Sequence, residues 1–456
     1  MKAYIENLMN RYRKECDYLE IRYEEKESAS VSYDNGSISD ISNSQSRGMA
    51  VRALVNGGWG FAAFTNPSYL EPYIKDAIKQ AGLIAGEPFF LAEAETVYDE
   101  LTVDADNDPR NLPLKEKIFL LDRYNDIITK YRDKGIKSRI IYFDTFLKKT
   151  FHNSEGTYIY TESADIAGSL VPIGIIGNNV QSIGVSFGSS LNFDVAYGHD
   201  DDLVQKCELV LKLLKAPIVK GGKYPVILDP VLTGVFTHEA FGHLSEADNV
   251  SNNKQLREVM VLGREFGSKE LNIYDSGLVE GSRGYLKYDD EGVRTQKTYL
   301  IREGRLSGRL HSRETASRLS EAPSGSARAV SYSHPPIPRM RSTNIEKGNS
   351  SFQDLIKDID LGVYAIDAKG GQTNGEMFTF MAGYGYMIRK GEIAEMVRDI
   401  NLTGNVFVTL KNIDAVGNDH TIHESPGGCG KGGQYPLPVS HGGPHIRIQD
   451  VTVGGR

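Results

Sequence analysis

Early in the chain the spacing of apolar residues switches from helical to alternating. Residues 1 to about 15 repeat apolar side chains at three and four, which predicts an amphipathic helix. Residues 18–33 alternate instead. Asp34-Asn35-Gly36 then signals a hairpin, because Asn and Gly accept the left-handed backbone of a two-residue turn. Alternation resumes over 47–55, Asn56-Gly57-Gly58 turns the chain again, and 59–64 is a further apolar run. The pattern predicts an antiparallel meander. Helical periodicity follows over 68–85 and 114–134. Strand character returns over 139–193 with a hairpin at 153–156, and a helix is expected over 202–214.

Residues 216–223 mark a boundary. Beyond it 224–228 reads as a strand, and Asp229-Pro230 starts a helix: Asp caps free N–H groups and the fixed φ of Pro suits a first turn. The remainder is rich in strands and glycine turns, such as 299–306 turning at Glu303-Gly304 and 384–397 turning at Lys390-Gly391. The expected fold class is α+β. An N-terminal α+β domain with an antiparallel sheet spans 1–220, and a mostly-β C-terminal domain carrying one important helix spans 221–456.

The chain of 456 residues is too long for one ordinary hydrophobic core, which agrees with more than one domain. Net charge is -8, from 52 basic and 60 acidic side chains, so no nucleic-acid footprint is expected. The basic patch over 130–137 is interrupted by Asp133 and reads as a solvated helix face. Three cysteines argue against a disulfide framework and for a reducing compartment. The first twenty residues carry charge throughout, unlike a secretory signal, and no apolar run reaches membrane-spanning length. A cytoplasmic protein with no membrane partner is expected.

The chemistry concentrates in two segments. The first is His238-Glu239-Ala240-Phe241-Gly242-His243 on the helix after Asp229. Zinc hydrolases space two histidines at i and i+4 so that both face one way. Here they are five apart, which on an ideal helix separates them by about 140°. A π-type turn would bring both to one face, and Gly242 lowers the cost of such a turn. The alternative is two ordinary helix histidines, one packed and one solvated. The second segment surrounds Cys429 with glycines, including Gly428 and Gly430. A thiolate there would complete a His2Cys set with a fourth position open to water; otherwise it is a flexible loop with an incidental cysteine. Cys16 and Cys207 fall in expected helices as packing residues.

These segments, with LSEAD at 244–248, CGKGGQ at 429–434 and IRIQDVTVGG at 446–455, resemble the TldD/PmbA family of metallopeptidases, the modulators of DNA gyrase, and its TldD branch in particular. DDEG at 289–292, LIREGRLSGRL at 300–310, RMRSTN at 339–344 and the N-terminal meander extend the likeness over essentially the whole chain. The PmbA (TldE) branch lacks the His-Glu-His set. The resemblance implies Zn2+ on His238, His243 and Cys429, and hydrolysis of peptides with Glu239 as general base. It also implies a homodimer, or a heterodimer with a TldE/PmbA-like subunit, enclosing the site so that only unfolded or short peptides enter.

Further candidates surround these. Glu246 and Asp248 either orient a ligand imidazole or are helix-end charges. His423, His441 and His445 flank the cysteine loop, where one is a candidate to contact substrate or the oxyanion, His423 being taken with Gly428 and Gly430 as substrate-binding; otherwise they are solvated. Arg339 and Arg341 suit a peptide carboxylate or a structural ion pair. A rival reading makes Cys429 a nucleophile with a histidine base, which leaves the His-Glu-His segment unexplained. Another makes the chain a non-catalytic peptide-binding or regulatory subunit, which would not need Glu239.

Overall fold

The computed structural model describes residues 2–455. The first half runs α1 (Lys2–Tyr12), β1 (Tyr18–Asp34), β2 (Ser37–Val55), β3 (Gly58–Phe64), α2 (Leu70–Leu83), β4 (Tyr98–Leu101), α3 (Leu114–Thr129), β5 (Ile136–Asn153), β6 (Tyr158–Ile176), β7 (Asn179–Ser182), β8 (Val185–Ser189) and α4 (Asp200–Leu213). The strands form one sheet ordered β3-β2-β1-β5-β6-β4, with β7 and β8 also on β6. Helices α1 and α2 bury Ile5, Leu8, Ile74 and Ala77 with Leu19, Ile21, Met49 and Val51 of the sheet. Helices α3 and α4 bury Leu121, Tyr124, Leu203 and Val210 with Ile140, Tyr142, Ile166 and Leu170. Two expected turns have left-handed backbone at both central residues: Asn35 (φ 51) with Gly36 (φ 91), and Asn56 (φ 45) with Gly57 (φ 79).

Three elements differ from expectation. Strand β2 begins at Ser37, not 47. Residues 37–47 are all exposed and pair only with β1, so they carry no apolar alternation to read. Helix α3 ends at Thr129, not 134, and a short 3-10 turn leads to Gly135 at φ 84. Cys16 lies just after α1 rather than inside it.

In the second half, β9 (Gly222–Leu228) lies between Leu361–Asn374, which is parallel to it, and Ile446–Gly454, which is antiparallel. The latter pairs with Asn401–Asn405, then Met377–Arg389, which hairpins back onto Leu361–Asn374. The ladder therefore closes on itself. A six-stranded sheet lies beside it, ordered Arg305–Leu306, Lys297–Arg302, Ile273–Ser276, Ser342–Ile345, Ser440–Gly443 and Thr421–His423. Helix α5 (Pro230–Thr237) packs Leu232 and Phe236 against Leu228, Phe378, Phe380, Leu402, Ile448 and Val451 of the closed ladder. It also touches the second sheet at Ser342–Ile345 and Ser440–Gly443. Held on both sides, α5 fixes the start of the histidine segment. The architecture is α+β with sheets in both halves, as the hydrophobic pattern predicted. No helix among the described residues is long and apolar enough to cross a membrane.

Candidate metal centre

Helix α5 starts as its sequence requires. The Asp229 carboxylate accepts from Leu232 N–H at 2.9 Å, and Pro230 takes the first turn. At its end the helix widens into a π turn, His238–Gly242, in which His243 N–H donates to His238 C=O. This i to i+5 bond removes the angular offset of an ideal helix and brings both imidazoles to one side. Their ring centroids are 5.4 Å apart with planes at 85°.

Gly242 serves this turn differently from expectation. Its φ of −56° and ψ of −53° are ordinary for any residue. What a side chain would disturb is packing: a Cβ there would lie 2.0 Å from Sδ of the buried Met340. Gly242→Ala is expected to destabilise the chain by about 1–3 kcal/mol through overpacking, measured by denaturant unfolding. An unchanged midpoint would show that Met340 moves aside freely.

Cys429 arrives from far along the chain on the strand Cys429–Lys431, which turns through Gly432 and Gly433 (φ 57 and 77) into Gln434–Leu437. Its Sγ is 3.4 Å from His243 Nε2. One donor atom from each of His238, His243 and Cys429 lies within 4.8 Å of the others. Burial by itself pushes the Cys429 thiol up; hydrogen bonds and charge from His238 and His243 outweigh it and bring the thiol down to about 5. Burial likewise pulls His243 down, and Cys429 and Glu246 overcome it, raising the imidazole to about 10. His238 Nδ1 is buried with no hydrogen-bond partner. A thiolate and two imidazoles at this spacing, one with an orphaned nitrogen, fit a cation such as zinc, whose bonds to N and S are about 2.0–2.3 Å.

The surroundings hold the donors in place. Glu246, fully buried, meets His243 Nδ1 through Oε2 at 3.0 Å, which directs Nε2 to the sulfur. Burial raises this carboxyl, and His243 with Lys431 more than reverses the effect. Lys431 Nζ lies 3.1 Å from Glu246 and 2.5 Å from Asp248. Arg339 is fully buried as well. It donates to Cys429 C=O at 2.7 Å and Gln434 C=O at 3.3 Å, and lies 3.9 Å from Glu246. A guanidinium so placed braces the cysteine hairpin from inside, the structural role that the sequence left open beside a peptide contact.

Glu239 lies on the wall of a 630 Å³ cleft shared with His243, Asp248, Gly371, Gln372 and Gly430. Gly428 backs onto the hairpin, where a Cβ would come within 2.6 Å of Leu437 O. His423 and His441 line a separate 810 Å³ cavity with Asp367 and Glu424. His445 is held by Asp419 at 2.5 Å and Tyr364 at 2.7 Å, a structural pairing away from the cleft. Sequence reasoning missed Lys431. A lysine inside a glycine loop looks solvated, and the one available signal was its place two residues after Cys429.

A thiol and two imidazoles gather beside a cleft that Glu239 lines, an arrangement that could hold a metal ion. Residues 221–455 match the PmbA/TldA metallopeptidase C-terminal domain, and 19–85 match the PmbA/TldA metallopeptidase domain 1. The chain is 41% identical over 456 residues to a metalloprotease of Synechocystis sp., spanning 100% of this chain and 98% of that one. It is 30% identical over 419 residues to a zinc metalloprotease TldD homolog of Saccharolobus solfataricus, spanning 91% of each. The structure of TldE from Thermococcus kodakarensis superposes with a TM-score of 0.79 at 20% identity, covering 99% of this chain and 100% of that one, a likeness of fold. This chain belongs to the PmbA/TldD metallopeptidase family.

Proposed function

We propose that this chain is a zinc-dependent peptidase acting on unfolded or short peptides, with His238, His243 and Cys429 holding the ion and Glu239 as general base. The π turn carries the reading, because it gives two histidines five apart a shared task with a thiol at residue 429. When bound, zinc would supply a water of lowered pKa and a Lewis acid for the scissile carbonyl. Glu239 would act as the proton carrier, its carboxylate accepting a proton and returning it to the leaving amine. Glu246 holds the His243 ring, and Arg339 with Gln434 holds the cysteine strand. Gly430 leaves backbone exposed on the cleft.

The strand Leu361–Asn374 offers the peptide a template. It pairs with β9 only at residues 363–365, so beyond them one edge has no strand on it among the described residues, and Gly371 to Thr373 of this stretch line the Glu239 cleft. An extended peptide adds to such an edge through its main chain, which favours unfolded substrates of varied sequence. We further propose cytoplasmic placement, the two-domain division at 220/221, and assembly either as a homodimer or with a TldE/PmbA-like subunit. The direct test is metal analysis of the purified protein beside digestion of a disordered peptide. The peptide should be cut while compact domains are spared. Cleavage of a stable domain at a buried bond without unfolding would contradict the reading, and zinc-loaded protein without turnover would favour a regulatory subunit.

The outer contacts carry their own expectation. Glu246→Gln removes the charge that Lys431 and Arg339 face and weakens the hold on His243. Zinc affinity should fall about 10–100-fold, read by competition with a chelating dye. Unaltered affinity would show that Glu246 is only a helix-end charge.

A further inference from the structure

A second cavity, of 540 Å³, opens between the C-terminal half and the face of β1, β2 and β5, and it shares no lining residue with the Glu239 cleft. Its closest tie to the metal centre is Leu437, which pairs with Cys429 across the hairpin. The walls hold buried polar atoms without hydrogen-bond partners: Nη1 and Nη2 of Arg341, a residue 1% exposed, Oγ of Ser190, and Oε1 of Glu24, whose charge is met at 3.8 Å by Arg22 and Lys149. Native interiors rarely leave such groups unmet, so four on one cavity call for a ligand or solvent that satisfies them.

The charge of the cavity narrows the choice. Two of its cations are neutralised in place, Arg283 by Asp165 and Lys149 by Asp290. Others are not. Arg328 spends its guanidinium on the carbonyls of Met340 and Pro438, and Lys26 has no ion pair among the described residues. Carboxylates do lie near Arg341, but Asp289 is engaged by backbone N–H groups of Glu291, Val293 and Ala327, and Asp275 by Arg341 N–H and Thr343. They moderate its charge without occupying its two Nη atoms. Burial, with Arg341 and Arg339 close by, pulls Arg328 down to about 9, a tension that an anion would relieve. Phe143 and Leu437 give the same cavity an apolar side.

We propose that this cavity binds the free α-carboxylate of a short peptide, with its two oxygens on Nη1 and Nη2 of Arg341, Lys26 adding charge, and a side chain against Phe143 and Leu437. A planar two-oxygen group matches the guanidinium fork in a way that a point charge does not. The volume is in the range of small-molecule sites, about 300–1,000 Å³. Neither zinc nor Glu239 takes part, so the proposal stands apart from the peptidase reading.

The test uses the full-length Glu239→Gln protein, so that peptide is not consumed, titrated calorimetrically with trialanine and with trialanine amide. Trialanine should bind at least about tenfold more tightly than its amide, the loss expected for a charge-assisted hydrogen bond. Lys26→Met, at an exposed position on β1, should weaken trialanine roughly threefold or more, and Arg341→Lys should weaken it further where that variant folds. Hydrogen exchange should show protection at residues 42–46 and at Leu437. Equal affinity for acid and amide would overturn the proposal. So would protection confined to the Glu239 cleft, or inorganic phosphate binding more tightly than trialanine and displacing it.

Discussion

Glu239→Gln is expected to retain fold and zinc while losing peptide turnover about 10²- to 10⁴-fold, the span that a positioned acid–base group contributes. Gln keeps the shape of the side chain and cannot accept a proton from water. The geometry isolates the effect well. Glu239 sits on the cleft wall and is not one of the three clustered donors, so its loss leaves His238, His243 and Cys429 as they are. A steady-state assay on a disordered peptide, with zinc content measured on the same sample, reads both quantities. Full activity in this variant would remove Glu239 from the mechanism.

Cys429→Ser should act on the metal first. A neutral hydroxyl is a poor substitute for thiolate, and zinc affinity should fall by at least about 100-fold, beyond the roughly 10–100-fold typical of losing an outer contact. Turnover should disappear with the metal. This variant also addresses the rival chemistry, because Sγ at 3.4 Å from His243 Nε2, with Glu246 behind the ring, is also what a cysteine nucleophile and its base would present. The two readings part on reactivity. A ligand sulfur, only 4% exposed and covered by the ion, should alkylate slowly until a chelator strips the zinc, and activity should go with it. A nucleophile should alkylate fastest in active enzyme and tolerate chelation. A Cys429→Ser protein that binds zinc normally yet is inactive would support the nucleophile.

The turns of this fold were legible because their chemistry is local. Asn35-Gly36, Asn56-Gly57, Glu303-Gly304 and Lys390-Gly391 each hold two successive residues at positive φ. The first stretch of β2 was not legible, since a strand exposed at every position shows no alternation. Closure of the C-terminal ladder was not legible either. It depends on β9 meeting residues 446–454 from the far end of the chain, and no spacing rule reports that contact.

The site divides along the same line. His238, Glu239 and His243 stood out because their order implies a shared face, and the doubtful spacing resolved into a π turn. Cys429 was recognisable from its glycine surround. The side chains that hold these donors were not. Glu246 looked as much like a helix-end charge as a partner for His243, and Arg339 as much like half of a structural ion pair as a residue for a peptide carboxylate. Fully buried charges must find partners inside the protein, and Glu246 lies 3.9 Å from the buried Arg339 and 3.1 Å from the partly exposed Lys431.

The central claim is that one zinc ion is held by two imidazoles and the Cys429 sulfur, and the zinc-edge X-ray absorption spectrum of the loaded protein tests it most directly. The account predicts one sulfur at about 2.3 Å and imidazole nitrogens at about 2.0–2.1 Å, with the sulfur shell lost in Cys429→Ser. A spectrum of nitrogen and oxygen neighbours only, unchanged by that substitution, would contradict it.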